Sequence, residues 1–314
     1  MNSYFLPAGL VVAFIVAWLA PEPGRVLDQW GLIPWMVVII FLVNGYQTRL
    51  RRIPTGKSLF VTALMAIAIN LLLSPFIGFV LVTVSGLPDG AALGLVVMAS
   101  VPATLSSGIV MTQLAGGDGV KALALTILLN LSGVFILPLT LQVTLGSSGI
   151  VDLSPWALLM QLIRIVLVPF VIGMFLRRIE MLNLNPVLLK YIPSLCVIST
   201  FWMSMSSSTD TLKVVSAGLL LTILLCSGAV HGILQALCWG ARRIYQVERA
   251  EWLALLFTAS QKTLPVAIGV LTAMDHAVGI AIVACILFHF LQLFWDALLA
   301  SHMTKSGTAG PGRV

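Results

Sequence analysis

The chain has 314 residues, of which 59% are apolar and 9% charged, with a mean hydropathy of +1.07. Soluble domains carry about a quarter charged residues, so lipid must solvate most of this chain. A large extramembrane enzyme domain, a nucleic-acid-binding domain and a long disordered tail are excluded; the net charge of +6 sits in loops, where it signals topology rather than a nucleic-acid partner.

Leu6 to Ala20 resembles a signal-peptide core, but no Lys or Arg precedes it and Pro21 and Pro23 follow, so it reads as a retained first span. Charges, Pro and Gly then punctuate ten apolar segments: 5–20, 32–47, 58–84, 91–114, 119–145, 153–176, 186–208, 212–240, 250–273 and 277–300. At about 20 residues per span that fills the chain. All must be helical, because open strands cannot satisfy their backbone in hydrocarbon and no barrel-type alternation is present. Cys196, Cys226, Cys238 and Cys285 fall in apolar stretches without metal-ligand spacing, and read as packing residues. Gly116-Gly117-Asp118-Gly119 is a turn; no strand precedes it and no Gly-Lys-Ser/Thr follows, so it is not a phosphate loop. Residues 301–314 read as a disordered cytoplasmic tail.

With Arg164 and Lys262 set aside inside spans, every Lys and Arg except Arg25 and Lys213 falls on the side of the N-terminus. The positive-inside rule then puts both termini in the cytoplasm. The expected location is the plasma membrane, the inner membrane if the source is bacterial.

The fourth and ninth segments match: Ala99-Ser100-Val101-Pro102-Ala103-Thr104 against Ala259-Ser260-Gln261-Lys262-Thr263-Leu264. The second and seventh match at Leu32-Ile33-Pro34 and Tyr191-Ile192-Pro193. Residues 1–148 and 149–300 therefore read as two five-helix repeats. An odd number of crossings puts them in opposite orientations, as in alternating-access transporters. Both matched segments look broken at mid-span, where Pro102 through Gly108 and Ser260 through Pro265 combine Pro, Gly and hydroxyls. Such backbone survives in a membrane only where it lines a cavity; half-helix N-termini suit anions, and freed carbonyls and hydroxyls suit a cation.

Other polar groups inside spans leave alternatives open. Asn130 and Ser132 could bond within the bundle or hold a ligand, Arg164 could snorkel, and His231 and His289 could be interhelical bonders or proton relays. Lys262 is too deep to snorkel fully and needs a specific partner. Asp296 is placed near the cytoplasmic end of the last span, so the partners expected are the carbonyls and negative end of the first half of span nine, with Ser and Thr hydroxyls. Lys262 would occupy or border a cation position and present its charge to an anionic substrate, with proton coupling or a purely structural pairing across helices as the alternatives. No HExxH, no GxSxG and no nucleophile–base pair is present, so an enzyme is not expected. A channel or a regulatory membrane protein would lack an explanation for the repeat, the twin breaks and Lys262 together.

The chain resembles the bile acid:sodium symporter family, its SBF-like branch in particular. The resemblance rests on Val101-Pro102-Ala103-Thr104 through Ser106-Ser107-Gly108-Ile109-Val110-Met111-Thr112, on Gly116-Gly117, and on Ala259-Ser260-Gln261-Lys262-Thr263-Leu264-Pro265. It implies an all-α fold of ten transmembrane helices with a panel and a core, helices four and nine crossing at their unwound centres, and no cofactor beyond a coupling sodium ion. The implied partners are a small organic anion, sodium or a proton, and the lipid bilayer. Substrate would meet Thr104, Ser106, Ser107, Lys262 and Thr263; the ion would meet Asn70, Thr126, Ser260 and Gln261. Ile109 and Phe257 stand where the family places an asparagine and a glutamate, so the ion site lacks its carboxylate.

Overall fold

The computed structural model describes residues 5–48, 56–146, 154–179, 185–272, 274 and 279–308, and the described residues form helices without strands. In chain order they are α1 (Phe5–Leu19), α2 (Glu22–Gln29), α3 (Leu32–Gln47), α4 (Lys57–Ser85), α5 (Asp89–Ser100), α6 (Ser107–Leu114) and α7 (Gly119–Gly146). Then come α8 (Pro155–Arg178), α9 (Pro186–Val214), α10 (Ala217–Tyr245), α11 (Arg249–Ala259), α12 (Leu264–Thr272) and α13 (Gly279–Thr308). Among the described residues, six stretches are long and apolar enough to cross a membrane: α4, α7, α8, α10, α11 with α12, and α13 to Thr304; bent pair α1–α2 makes a seventh if counted as one. The expected tail is corrected in part: α13 stays helical to Thr308, and 309–314 lie outside the described residues.

Polar residues start these helices where water or headgroups end. Asp118 caps α7 by accepting from the Val120 and Lys121 N–H groups, Ser154 caps α8 and Ser216 caps α10. Gly116, at φ +79°, supplies the left-handed turn between α6 and α7.

Prolines inside α4 and α8 are met by a change of helical register. Residues 68–73 of α4 form a π-turn, and the Ser74 N–H reaches back five residues to the Ile69 carbonyl. The next residue, Pro75, has no N–H to give. The Asn70 carbonyl is thus left without a helical donor. In α8, Val168 N–H bonds Ile163 O ahead of Pro169 in the same way. Such π-turns are frequent at functional sites.

The helices pack as two groups. α3 lies against α8 and α9, with α1 and α2 on α9. Gly45 and Gly173 let α3 and α8 touch backbone to backbone: a Cβ on either would sit 2.1 or 2.0 Å from the Phe170 or Leu42 carbonyl oxygen. The other group holds α4–α7 and α10–α13, with α11 packed on α6 and α7, and α5 on α4 and α13. Contacts of α3 with α12 and of α9 with α13 join the groups. At one end Glu251 accepts from Ser58 (2.5 Å), Thr62 (2.5 Å) and Lys121 (2.6 Å), tying the starts of α4, α7 and α11. At another site Arg25 of α2 pairs with Asp210 near the end of α9, 2.6 Å away.

Candidate functional site

Each break follows from its prolines. α5 stops at Ser100 because Pro102 forces Val101 into extended backbone (φ −66°, ψ 153°). Helix resumes only at Ser107. α11 stops at Ala259, and Pro265 sits in the first turn of α12, where its missing N–H costs nothing. The breaks touch, since Thr263 N–H donates to Pro102 O at 3.0 Å.

Unpaired buried backbone groups cost about 1–3 kcal/mol each, and surrounding side chains take them up one by one. Asn130 of α7 gives its amide to Ala103 O at 3.0 Å and to Thr126 O at 2.8 Å. Ser74 takes Ala99 O. Asn70 of α4 spans Ala259 O (2.9 Å) and Gln261 O (3.0 Å). Gln292 of α13 holds Lys262 at both ends, accepting its N–H at 2.9 Å and donating to its carbonyl at 2.7 Å. His231 of α10 meets Ser260 O at 3.2 Å. With both amide hydrogens spent, Asn70 Oδ1 and Asn130 Oδ1 remain buried acceptors without a protein partner.

Gln261 sits at the centre of the side-chain network. Its Oε1 accepts from Ser107 (2.7 Å) and Thr104 (3.0 Å), whose hydroxyls lie 2.5 Å apart. Its Nε2 donates to Asp296 Oδ2 at 2.6 Å. The sequence reading of Asp296 is corrected here: it is fully buried at the crossing, because α13 runs on past residue 300 and leaves Asp296 well inside the helix. A carboxylate thus reaches the crossing from α13.

Lys262 is corrected too. Its side chain is fully buried, but its ammonium does not line the cavity described below. Its Nζ donates to Asn70 O at 2.5 Å, the carbonyl that the π-turn and Pro75 set free, rather than to the end of α11. Among the expected ion residues, Asn70, Ser260 and Gln261 gather at the second break. Thr126 stands apart from them: its hydroxyl bonds back to Ala122 O at 2.8 Å, and Asn130 links it to the first break. The Ser260 hydroxyl likewise bonds back to Leu256 O.

A small cavity of about 40 Å³ opens where the two breaks meet the other helix group. Thr104, Ser106, Ser107 and Thr263 line it, so four of the five expected substrate residues share one space, faced by Ile40 and Asn44 of α3 and Val197 of α9. The N-terminal ends of α6 and α12 converge on it, which favours negative charge. His289 of α13 also lines it, with Nε2 buried and unpartnered. The Gln292 amide is oriented by the Lys262 backbone, so its Nε2 donates to His289 Nδ1 at 2.9 Å. The neutral imidazole must therefore carry its hydrogen on Nε2, as a donor available to the cavity. Sequence reasoning missed Gln292, His289 and Asp296 as site residues, although 289, 292 and 296 are spaced by three and four and so share one helix face.

The sequence profile of the SBF-like CPA transporter family matches residues 4–305. The probable sodium/metabolite cotransporter BASS4, chloroplastic, of Oryza sativa subsp. japonica is 28% identical over 320 residues, covering 96% of this chain and 75% of that protein. Its namesake from Arabidopsis thaliana is 27% identical over 325 residues, covering 98% of this chain and 74% of its own length.

Proposed function

Because the chain belongs to the SBF-like CPA transporter family, we propose that it is a secondary active transporter of a small organic anion, working by alternating access. The family is one of transporters, not of enzymes. One observation carries the anion reading: the cavity lies between the two helix groups, where both helix breaks and two helix N-termini meet. Thr104, Ser106, Ser107 and Thr263 contact the substrate, and His289 donates from Nε2.

The helices group into ten spans if α5–α6 and α11–α12 each count as one broken span and α2 as a connecting helix. The inverted repeat is supported by paired roles. Asn130 of span five clamps the Ala103 carbonyl of the first break; Gln292 of span ten clamps the Lys262 carbonyl of the second. Residues 1–148 and 149–300 are then the two repeats, with α1, α3, α8 and α9 as panel and the rest as core. With both termini in the cytoplasm of a plasma-membrane protein, the Glu251 cluster faces the cytoplasmic side and the Arg25–Asp210 pair the outer side, a reading supported by the excess of Lys and Arg on the first side.

The relatives are named sodium/metabolite cotransporters, and sodium is the first coupling ion to test here. Asn70 Oδ1 is the open acceptor that suits it. Lys262, fixed on Asn70 O, lies beside that position and does not line the cavity.

The test is uptake into proteoliposomes, after a thermal-stability screen of organic anions with and without sodium. The expected result is saturable, gradient-dependent accumulation, with a raised KM in Ser106→Ala and Thr263→Ala. Gradient-independent ohmic conductance would overturn the reading.

A further inference from the structure

Beyond the cavity, α9 carries a row of hydroxyls that nothing in the protein engages. Thr200, Ser204 and Ser208 are each 0% exposed, and their hydroxyls have no partner among the described residues. Buried hydroxyls on other helices donate to the carbonyl four residues back: Thr126 to Ala122, Ser227 to Ile223 and Thr258 to Ala254. Those of α9 do not. A buried polar group without a partner is costly, and three on one helix face call for a state in which they are met.

The direction of the row follows from its neighbours. At about 100° per residue, Thr200, Ser204 and Ser208 share a face with Pro193 and Val197, which line the cavity. Farther along that face Thr211 abuts the start of α13: a Cβ on Gly279 would stand 2.5 Å from the Thr211 hydroxyl. Beside the row, the Phe201 ring meets that of Phe290 of α13, with centroids 5.4 Å apart. The row is thus pressed against α13, at the join of the two helix groups. From Val197 to Thr211 the face runs about 21 Å, at about 1.5 Å per residue, and ends beside Asp210 of the outer ion pair. Ser206 and Trp202 Nε1, also unpartnered, turn instead to Gly24 of α2.

Two further observations point to a ligand on this face. The cavity holds about 40 Å³, against roughly 300–1,000 Å³ for small-molecule sites, so an organic anion enters only when the walls part. The segments of α3 and α9 also match as counterparts in the two repeats. The second half of α3 gives Ile40 and Asn44 to the cavity; inversion assigns the like role on the outer side to the second half of α9, where the row lies. A hydroxyl can donate to an oxyanion. Neutral donors hold it less firmly than Lys or Arg would, and a path needs sites that release their cargo. The N-terminal end of α13, beside Thr211, favours negative charge at the outer mouth.

We propose that the Thr200–Ser204–Ser208 face of α9 is the wall of the outer passage, sealed against α13 in this structure, and that its hydroxyls hand an oxyanion down to the cavity. This deepens the transporter reading above and rests on it. When α9 and α13 part, each hydroxyl trades burial without a partner for a bond to water or to the anion, so the row favours the open state.

The test uses the full chain in right-side-out and inverted vesicles and needs no substrate. Ser204→Cys and Ser208→Cys are treated separately with two impermeant thiosulfonates of similar size, one bearing a sulfonate and one a trimethylammonium. Each rate is divided by that reagent's rate with a free thiol. Both cysteines should react from the outer side only, the sulfonate reagent leading severalfold, and the lead at Ser204→Cys should shrink when Ser208→Ala is added. Met203→Cys, at a position equally buried but on another face of α9, should stay unreactive. Silence of both cysteines from the outer side, or equal corrected rates for the two reagents, would overturn the proposal. If labelling behaves as expected but no anion is accumulated in proteoliposomes, the oxyanion passage stands and the transport reading falls. If saturable uptake is seen while both cysteines stay silent, only the passage falls.

Discussion

The two helix breaks are built from the same ingredients and face opposite ways. In the first, Thr104, Ser106 and Ser107 line the cavity, with the Thr104 and Ser107 hydroxyls bonded to Gln261, and a single carboxamide, Asn130, holds the Ala103 carbonyl from behind. In the second, Thr263 reaches the cavity while Gln261 and Lys262 turn into the protein, where Asn70, Gln292, His231 and Asp296 hold them. Both residues are 0% exposed. The difference divides the labour: the first break lines the cavity with three side chains, and the second is held inside the protein by side chains of three other helices. Gln261 is the bridge, with its oxygen bonded to the first break and its nitrogen to Asp296.

The largest expected effect separates the two clamps. Gln292→Leu leaves the Lys262 N–H and carbonyl unpaired, at roughly 1–3 kcal/mol for each buried group, so the loss should total about 2–6 kcal/mol. Asn130→Leu strands one break carbonyl and should cost about 1–3 kcal/mol. Thermal melting of the purified chain checks this, and equal losses would break the comparison. Lys262 comes next. Lys262→Met deprives Asn70 O of its partner and should lower Tm, and both it and Lys262→Gln should alter the ion dependence of uptake; variants that transport like the parent under every ion condition would make Lys262 purely structural. A smaller effect sharpens the packing side. A Cβ at Gly108 would lie 2.9 Å from Phe257 O, so Gly108→Ala should cost about 1–3 kcal/mol. At Gly269 the nearest atom is the Ile165 side chain at 3.5 Å, so Gly269→Ala should melt within about 0.5 kcal/mol of the parent.

Much of this was legible because proline and composition leave local signatures. Pro102 and Pro265 mark the breaks, and the hydroxyls beside them mark the cavity. Lys262 was legible as a buried charge but not in its partner, since that carbonyl is released by a π-turn in a distant helix. Asp296 was misplaced because the polar stretch after Ala300 reads as tail, whereas α13 continues into it as far as Thr308. The stripe of His289, Gln292 and Asp296, and the four-residue spacing of His231 and Gln235, were available in the sequence. Their meaning depends on which helix face meets the crossing, and in a uniformly apolar span polarity alone does not reveal that.

The division between the two breaks is tested most directly by cysteine substitution, because the native cysteines Cys196, Cys226, Cys238 and Cys285 are all buried. Ser106→Cys and Gln261→Cys are labelled with a membrane-impermeant thiosulfonate in right-side-out and inverted vesicles. The account predicts that Ser106→Cys reacts from at least one side, protected by a transported anion, while Gln261→Cys stays unreactive from both. Ready labelling of Gln261→Cys with none at Ser106→Cys would contradict it.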